Sequence, residues 1–202
     1  AFSQMVPAKS SVAYNTRYIG TTPPGIWNPL IAALGDNWSG SVRVTGPSGS
    51  ALAGVYLYFP AQYGTDMIAV PLMSQSQSSA GALTAPVVSR QKVGNSWTRW
   101  STVLVQNTTD SSASITLRLF DSNGTQLGSD CPVTVLPRAY AALNLKTGVD
   151  LPSACNLLNI LGTNFSGSML ILSNDGRAML ATYYSFDEST GRVEGDSVVV
   201  RP

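Results

Sequence analysis

The chain has 202 residues, of which 44% are hydrophobic and only 11% charged, with a net charge of +1 and no histidine. About a quarter of an ordinary soluble protein is charged, so this surface is built from hydroxyls and amides, as in exported β proteins, surface layers and appendages. The scattered basic residues make no stripe that could neutralise phosphates, which excludes nucleic-acid binding, and the missing imidazole excludes a Ser-His-Asp triad, a Cys-His dyad and a histidine zinc site.

In chain order, Ala1-Phe2-Ser3 reads as a mature end left by a signal peptidase. The segment through Val6 and Val12 is a candidate edge strand. Asn28 can cap a helical turn with Pro29 at its first position and Gly35 at its end. Val42-Arg43-Val44 and Met67 to Leu72 read as strands, the latter assigned to the sandwich that follows. Residues 74–85, rich in Ser, Gln and Ala, read as a linker or long loop. No apolar run approaches the ~20 residues of a membrane helix, so no membrane insertion is expected.

Beyond the linker, Val103 to Asn107, Ile115 to Leu119 and Val133 to Val135 show β-branched runs or apolar/polar alternation. Met169 to Leu172, Leu180 to Phe186 and Val198-Val199-Val200 do the same. Asp121-Ser122-Asn123-Gly124 and Asn174-Asp175-Gly176 supply the positive-φ residues of tight hairpins, and Asp187 to Gly191 a longer tip. A second helical turn is expected from Leu157 to Leu161, ending at Gly162. Short strands punctuated by turns indicate an antiparallel sandwich or barrel.

The most specific signal is self-similarity. Residues 30–59 align without a gap to residues 157–186, with 11 of 30 positions identical. These include Leu34/Leu161, Gly35/Gly162, Ser39-Gly40-Ser41 against Ser166-Gly167-Ser168, Tyr56/Tyr183 and Phe59/Phe186, while Trp38 faces Phe165. Gly64 to Pro71 similarly resembles Gly195 to Pro202. The expectation is an all-β chain of two Ig-like antiparallel sandwich modules, each with a short helical turn. Residues 1–63 form a partial repeat lacking the front strands, and residues 64–202 a complete one ending in a C-terminal strand.

Two cysteines occur, Cys131 and Cys155. In an exported chain an even count suggests a disulfide, and two unpaired buried thiols are the plain alternative.

The run Trp100-Ser101-Thr102 to Val105-Gln106-Asn107, the Ile/Thr/Leu strand ending in Asp121-x-Asn-Gly, Val135-Leu136-Pro137, Leu151-Pro152 and Asn164-Phe165-Ser166-Gly167-Ser168 together resemble the tandem Ig-like repeats in secreted surface proteins of filamentous bacteria of the Chloroflexi type. The resemblance covers residues 64–202 and, as a partial unit, residues 6–63. It implies an extracellular, array-forming or adhesive role and brings no catalytic residues.

No enzyme, cofactor or metal site is expected. Asp121, Asp175 and Asp187 read as turn formers, and no Gly-rich phosphate loop follows a strand. Trp97 is a candidate for stacking on cell-surface glycans, against the plainer reading that Trp38, Trp97 and Trp100 are core aromatics. Asn107 and Asn123 are candidate glycosylation sites, among sequons that also include Asn37 and Asn164. The expected function is a non-enzymatic subunit of a filament, sheath or surface array, bound head-to-tail to copies of itself. Val198, Val199 and Val200, or Val6 and Val12, would supply the intersubunit strand. A fragment of a longer repeat adhesin or stalk, and a carbohydrate-binding module, are the alternatives.

Overall fold

The alternation of Ala113, Ile115, Leu117 and Leu119 with polar neighbours buries one side of a strand and leaves the other partly wet. Repeated along the chain, this pattern yields an all-β protein. The computed structural model describes residues 5–6, 33–34, 42–48, 52–53, 55–58, 68–71 and 78–200. The chain divides into two units, Ala1–Gly40 and Ser41–Pro202. In the first, Ala33 and Leu34 are helical, within the turn expected up to Gly35.

In the second unit, β1 (Val55–Tyr58) and β2 (Ile68–Pro71) pair antiparallel with each other in a two-stranded sheet. Nine further strands follow: β3 (Ala82–Val93), β4 (Ser96–Asn107), β5 (Ala113–Asp121), β6 (Gln126–Val135), β7 (Tyr140–Asn144), β8 (Asn164–Ser173), β9 (Met179–Asp187), β10 (Arg192–Ser197) and β11 (Val199–Val200). One layer runs β7-β4-β9-β10 and the other β6-β5-β8-β3-β11, all antiparallel. The β3–β4 hairpin joins the layers at one corner. At another, Val198 donates its N–H to the Ala181 carbonyl before β11 crosses to β3.

Between the layers lie Leu83, Val88, Val103, Val105, Ile115, Leu117, Leu119, Leu143, Met169 and Ile171, all buried. The segment after β7 carries a 3-10 turn (Ser153–Cys155) and a short helix (Leu157–Leu161), whose Leu157 and Leu161 complete the core. The β4–β9 layer also carries apolar side chains on its other face, where Tyr184 and Val193 are buried against Leu104 and Phe186.

Three expectations are corrected. Residues 82–85 are not linker but the start of β3, with Leu83 and Ala85 fully buried. Their apolar/polar alternation decides the matter once Ser79 exchanges backbone hydrogen bonds with Met179. Pro86 masked the strand, and the chain accommodates it in a bulge between Ala85 and Val88. Ile68–Pro71 joins β1 and not the nine-stranded sheet, where β11 takes the place beside β3. Val42-Arg43-Val44 forms no strand ladder, and both valines are exposed. The proposed module boundary near residue 63 lies outside the described residues.

Candidate functional site

The free edges of a sandwich carry unpaired N–H and C=O groups that invite another strand. Two of these edges, β6 and β7, are blocked in part by the chain's own residues. On β6, Pro132 faces Thr116, so the ladder bonds fall on the neighbouring pairs and the proline puts no N–H on the outer edge. On β7, the outward N–H of Ala142 donates to the Asp150 carboxylate at 2.7 Å, and that of Asn144 to the Val149 carbonyl at 3.2 Å. Between these edges lies a depression of about 240 Å³, lined by Val133, Val135, Leu136, Tyr140 and Asp150.

The C-terminal strand is likewise in use. Val199 pairs with Thr84 and Val200 with Leu83, and Val198 is buried in the core. This corrects the expectation that Val198, Val199 and Val200 form a free donor strand: their β-branched run completes the sandwich they belong to. Val6 is exposed, and Val12 lies outside the described residues.

Cys131 and Cys155 are disulfide-bonded, with their Cα atoms 5.5 Å apart. The bridge ties the 3-10 turn to the edge strand β6, so the covering segment is held where β6 has no neighbour.

Asn107 is excluded as a glycan acceptor. It is fully buried, its amide nitrogen donates to the carbonyls of Ser111, Val135 and Leu136, and its side-chain oxygen accepts from the N–H and hydroxyl of Thr109. The threonine that completes the sequon is thus a partner in an Asx turn. Asn123 is exposed at the β5–β6 hairpin tip, held by the Asp121 carboxylate, and Asn164 is exposed at the start of β8.

The densest polar–aromatic cluster lies where β3 and β4 turn. Arg90 is opposite Trp100 in register, and Lys92 opposite Trp97. The Arg90 guanidinium lies 4.4 Å from the centre of the half-buried Trp97 ring, and the Lys92 ammonium 5.8 Å from it. Trp97 is therefore a cation-covered ring and not the open platform expected for glycan stacking. Trp100 is buried, stacked on Phe186 at 5.2 Å, with the Lys146 ammonium 3.8 Å from its ring centre. Lys146 is neutralised by Glu188 at 2.8 Å.

Arg90 is only 8% exposed, donates from Nη1 to the Leu145 carbonyl at 3.3 Å, and leaves its buried Nε without a hydrogen-bond partner. Burial lowers its pKa. Sequence reasoning missed Arg90 because its neighbours in space come from β4 and the segment after β7, and no local motif marks it.

No family model matches the chain, and no curated protein does. Among solved structures, it is similar to the crystal structure of Thermotoga maritima 1070 at 15% identity and a TM-score of 0.44, covering 61% of this chain and 96% of that one. It is also similar to the Anabaena sensory rhodopsin transducer at 16% identity and a TM-score of 0.39, covering 51% and 85%. Likenesses this weak carry no argument about function. Among the described residues there is no group of three or more potential metal ligands, and no helix long and apolar enough to cross a membrane.

Proposed function

We propose that this is a non-enzymatic extracellular structural protein, a subunit of a filament, sheath or surface array whose copies join by β-strand contacts. The composition, the disulfide and the resemblance to secreted surface repeats favour an exported chain. The observation that carries the assembly reading is the edge of β1. By the internal repeat, Val55–Tyr58 corresponds to Thr182–Ser185 of β9, which pairs with β4 on one side and β10 on the other. Among the described residues, β1 pairs with β2 alone.

Pro71 has no N–H to donate, so the register that costs the ladder no bond is the one in which Tyr56–Val70 and Tyr58–Ile68 are the hydrogen-bonded pairs. The N–H of Leu57 then points to the edge that a β4-like strand would occupy. That strand is supplied by a second copy through β-augmentation.

The substitution Leu57→Pro tests this, since it removes the outward donor while sparing the β1–β2 ladder. Polymer yield, read by light scattering and electron microscopy, should collapse while the sandwich stays folded. Arrays at normal yield would overturn the reading. A native mass well above that of these 202 residues, with the additional chain filling the β1 edge and no polymer formed, would replace it with the longer adhesin or stalk.

A further inference from the structure

We propose that Arg90, Lys92 and Trp97 form a binding site for an oxyanion, a sulfate or carboxylate group. A buried arginine is normally matched by a carboxylate, because a desolvated charge is costly unless paired. The ion pairs among the described residues instead engage Arg99, Arg118, Arg138, Lys146 and Arg177. Arg90 has no acidic partner there, and its compensation is one long hydrogen bond to a neutral carbonyl and the face of an indole.

Lys92, directly across the strand pair from Trp97, brings a second positive charge to the same ring and also has no ion pair among the described residues. Glu188, whose N–H bonds the Thr98 carbonyl next to Trp97, is taken by Lys146, and Asp187 by Arg99. Two cations without an ion pair among the described residues, one desolvated and held against Trp97, match the charge and planar hydrogen-bonding demand of an oxyanion. An acidic polysaccharide and a free small anion both present this chemistry. The site is independent of the β1 edge, so either proposal can fail alone.

The test is a titration of the full-length protein, following the Trp97 indole N–H by NMR, with the resonance assigned from Trp97→Phe. The probes are sodium sulfate, sodium glucuronate and a sulfated oligosaccharide, each against sodium chloride at matched ionic strength. A saturable shift is expected, with a dissociation constant of about a few mM for the free anions. Tightening by about tenfold or more with the oligosaccharide would identify a saccharide as the source, and equal affinity per anionic group would identify a small anion.

Arg90→Gln risks the fold, so the deciding variant is Lys92→Glu. It should abolish the shift, and Lys92→Arg should retain it. The absence of a saturable shift at about 50 mM of any probe, a range in which even weak oxyanion sites fill, would overturn the proposal. So would a Lys92→Glu protein that binds like the wild type.

Discussion

The side-chain amide of Asn107 donates to the main-chain carbonyl of Leu136 at 3.1 Å, pinning the end of β4 to the turn that leaves β6. The same nitrogen serves Val135 and Ser111, so one buried side chain satisfies carbonyls from two loops. Asn107→Ala should therefore cost about 3 kcal/mol, the order expected when several buried polar groups lose their partner. Asn107→Asp should cost more, because a carboxylate cannot donate to those carbonyls. Urea unfolding midpoints check both. Peptide mapping of the native protein should find Asn107 without a glycan.

Gly167 makes a second prediction. A Cβ there would overlap the Phe120 carbonyl oxygen and fall 2.9 Å from the Phe165 ring. Both belong to the core region where β8 passes β5, and neither can yield cheaply. Gly167→Ala should destabilise by about 3 kcal/mol or more, visible as loss of soluble protein or a sharply lowered melting temperature. Gly81→Ala, where only the Ser79 hydroxyl lies near at 3.7 Å, is the tolerated control.

Gly167 also shows what the sequence could and could not reveal. The repeated Asn-aromatic-Ser-Gly-Ser pattern was visible as identity between residues 37–41 and 164–168. Its cause, an aromatic ring lying across a glycine in a crowded strand, needed the β5–β8 pairing. β5 is legible because it alternates cleanly against one core, and β9 because its run is mostly apolar and aromatic, with Met179 and Ala181 in the main core and Tyr184 buried on the other face. β3 is not, since its register shifts at Pro86 and it belongs to both layers. The sequence marks Trp97 as an aromatic at a strand entry and a candidate for glycan stacking, but not its cationic cover. The cations that cover it come from β3, and no periodicity links them. The closure of the sandwich by Val198–Val200 was hidden by the same repeat that suggested a donor strand, because a β-branched run pairs equally well inside its own domain or outside it.

The Cys131–Cys155 bridge closes a span of 24 residues holding β7, the Asp150 cap and the 3-10 turn. In the chain-entropy picture a loop of this length contributes about 3 kcal/mol. For a protein of this size that is a melting-temperature loss of about 6–12 °C on reduction. Thermal scans with and without reductant, with a thiol-alkylated sample as control, measure it. An unchanged midpoint would mean that Leu157 and Leu161 hold the covering segment without the bridge.

Acid stability should carry the mark of Asp187. The Ser189 hydroxyl and the Arg99 guanidinium both bond its carboxylate and hold its pKa down at about 2, against 3.8 without them. The unfolded chain takes up the proton first as pH falls, so the contribution is full above about pH 5 and declines between about 4 and 2. It is gone below the folded value. Asp110, Asp130 and Asp175 are lowered as well, by Arg138, Arg118 and the Ser114 N–H respectively, so the slopes add in the same direction. Asp187→Asn keeps an oxygen for Ser189 and Thr190 but loses the charge facing Arg99. Its melting temperature should therefore lie below wild type at pH 6 and converge with it near pH 2. Parallel curves across that range would show that the β9–β10 turn is held by its backbone and not by this carboxylate.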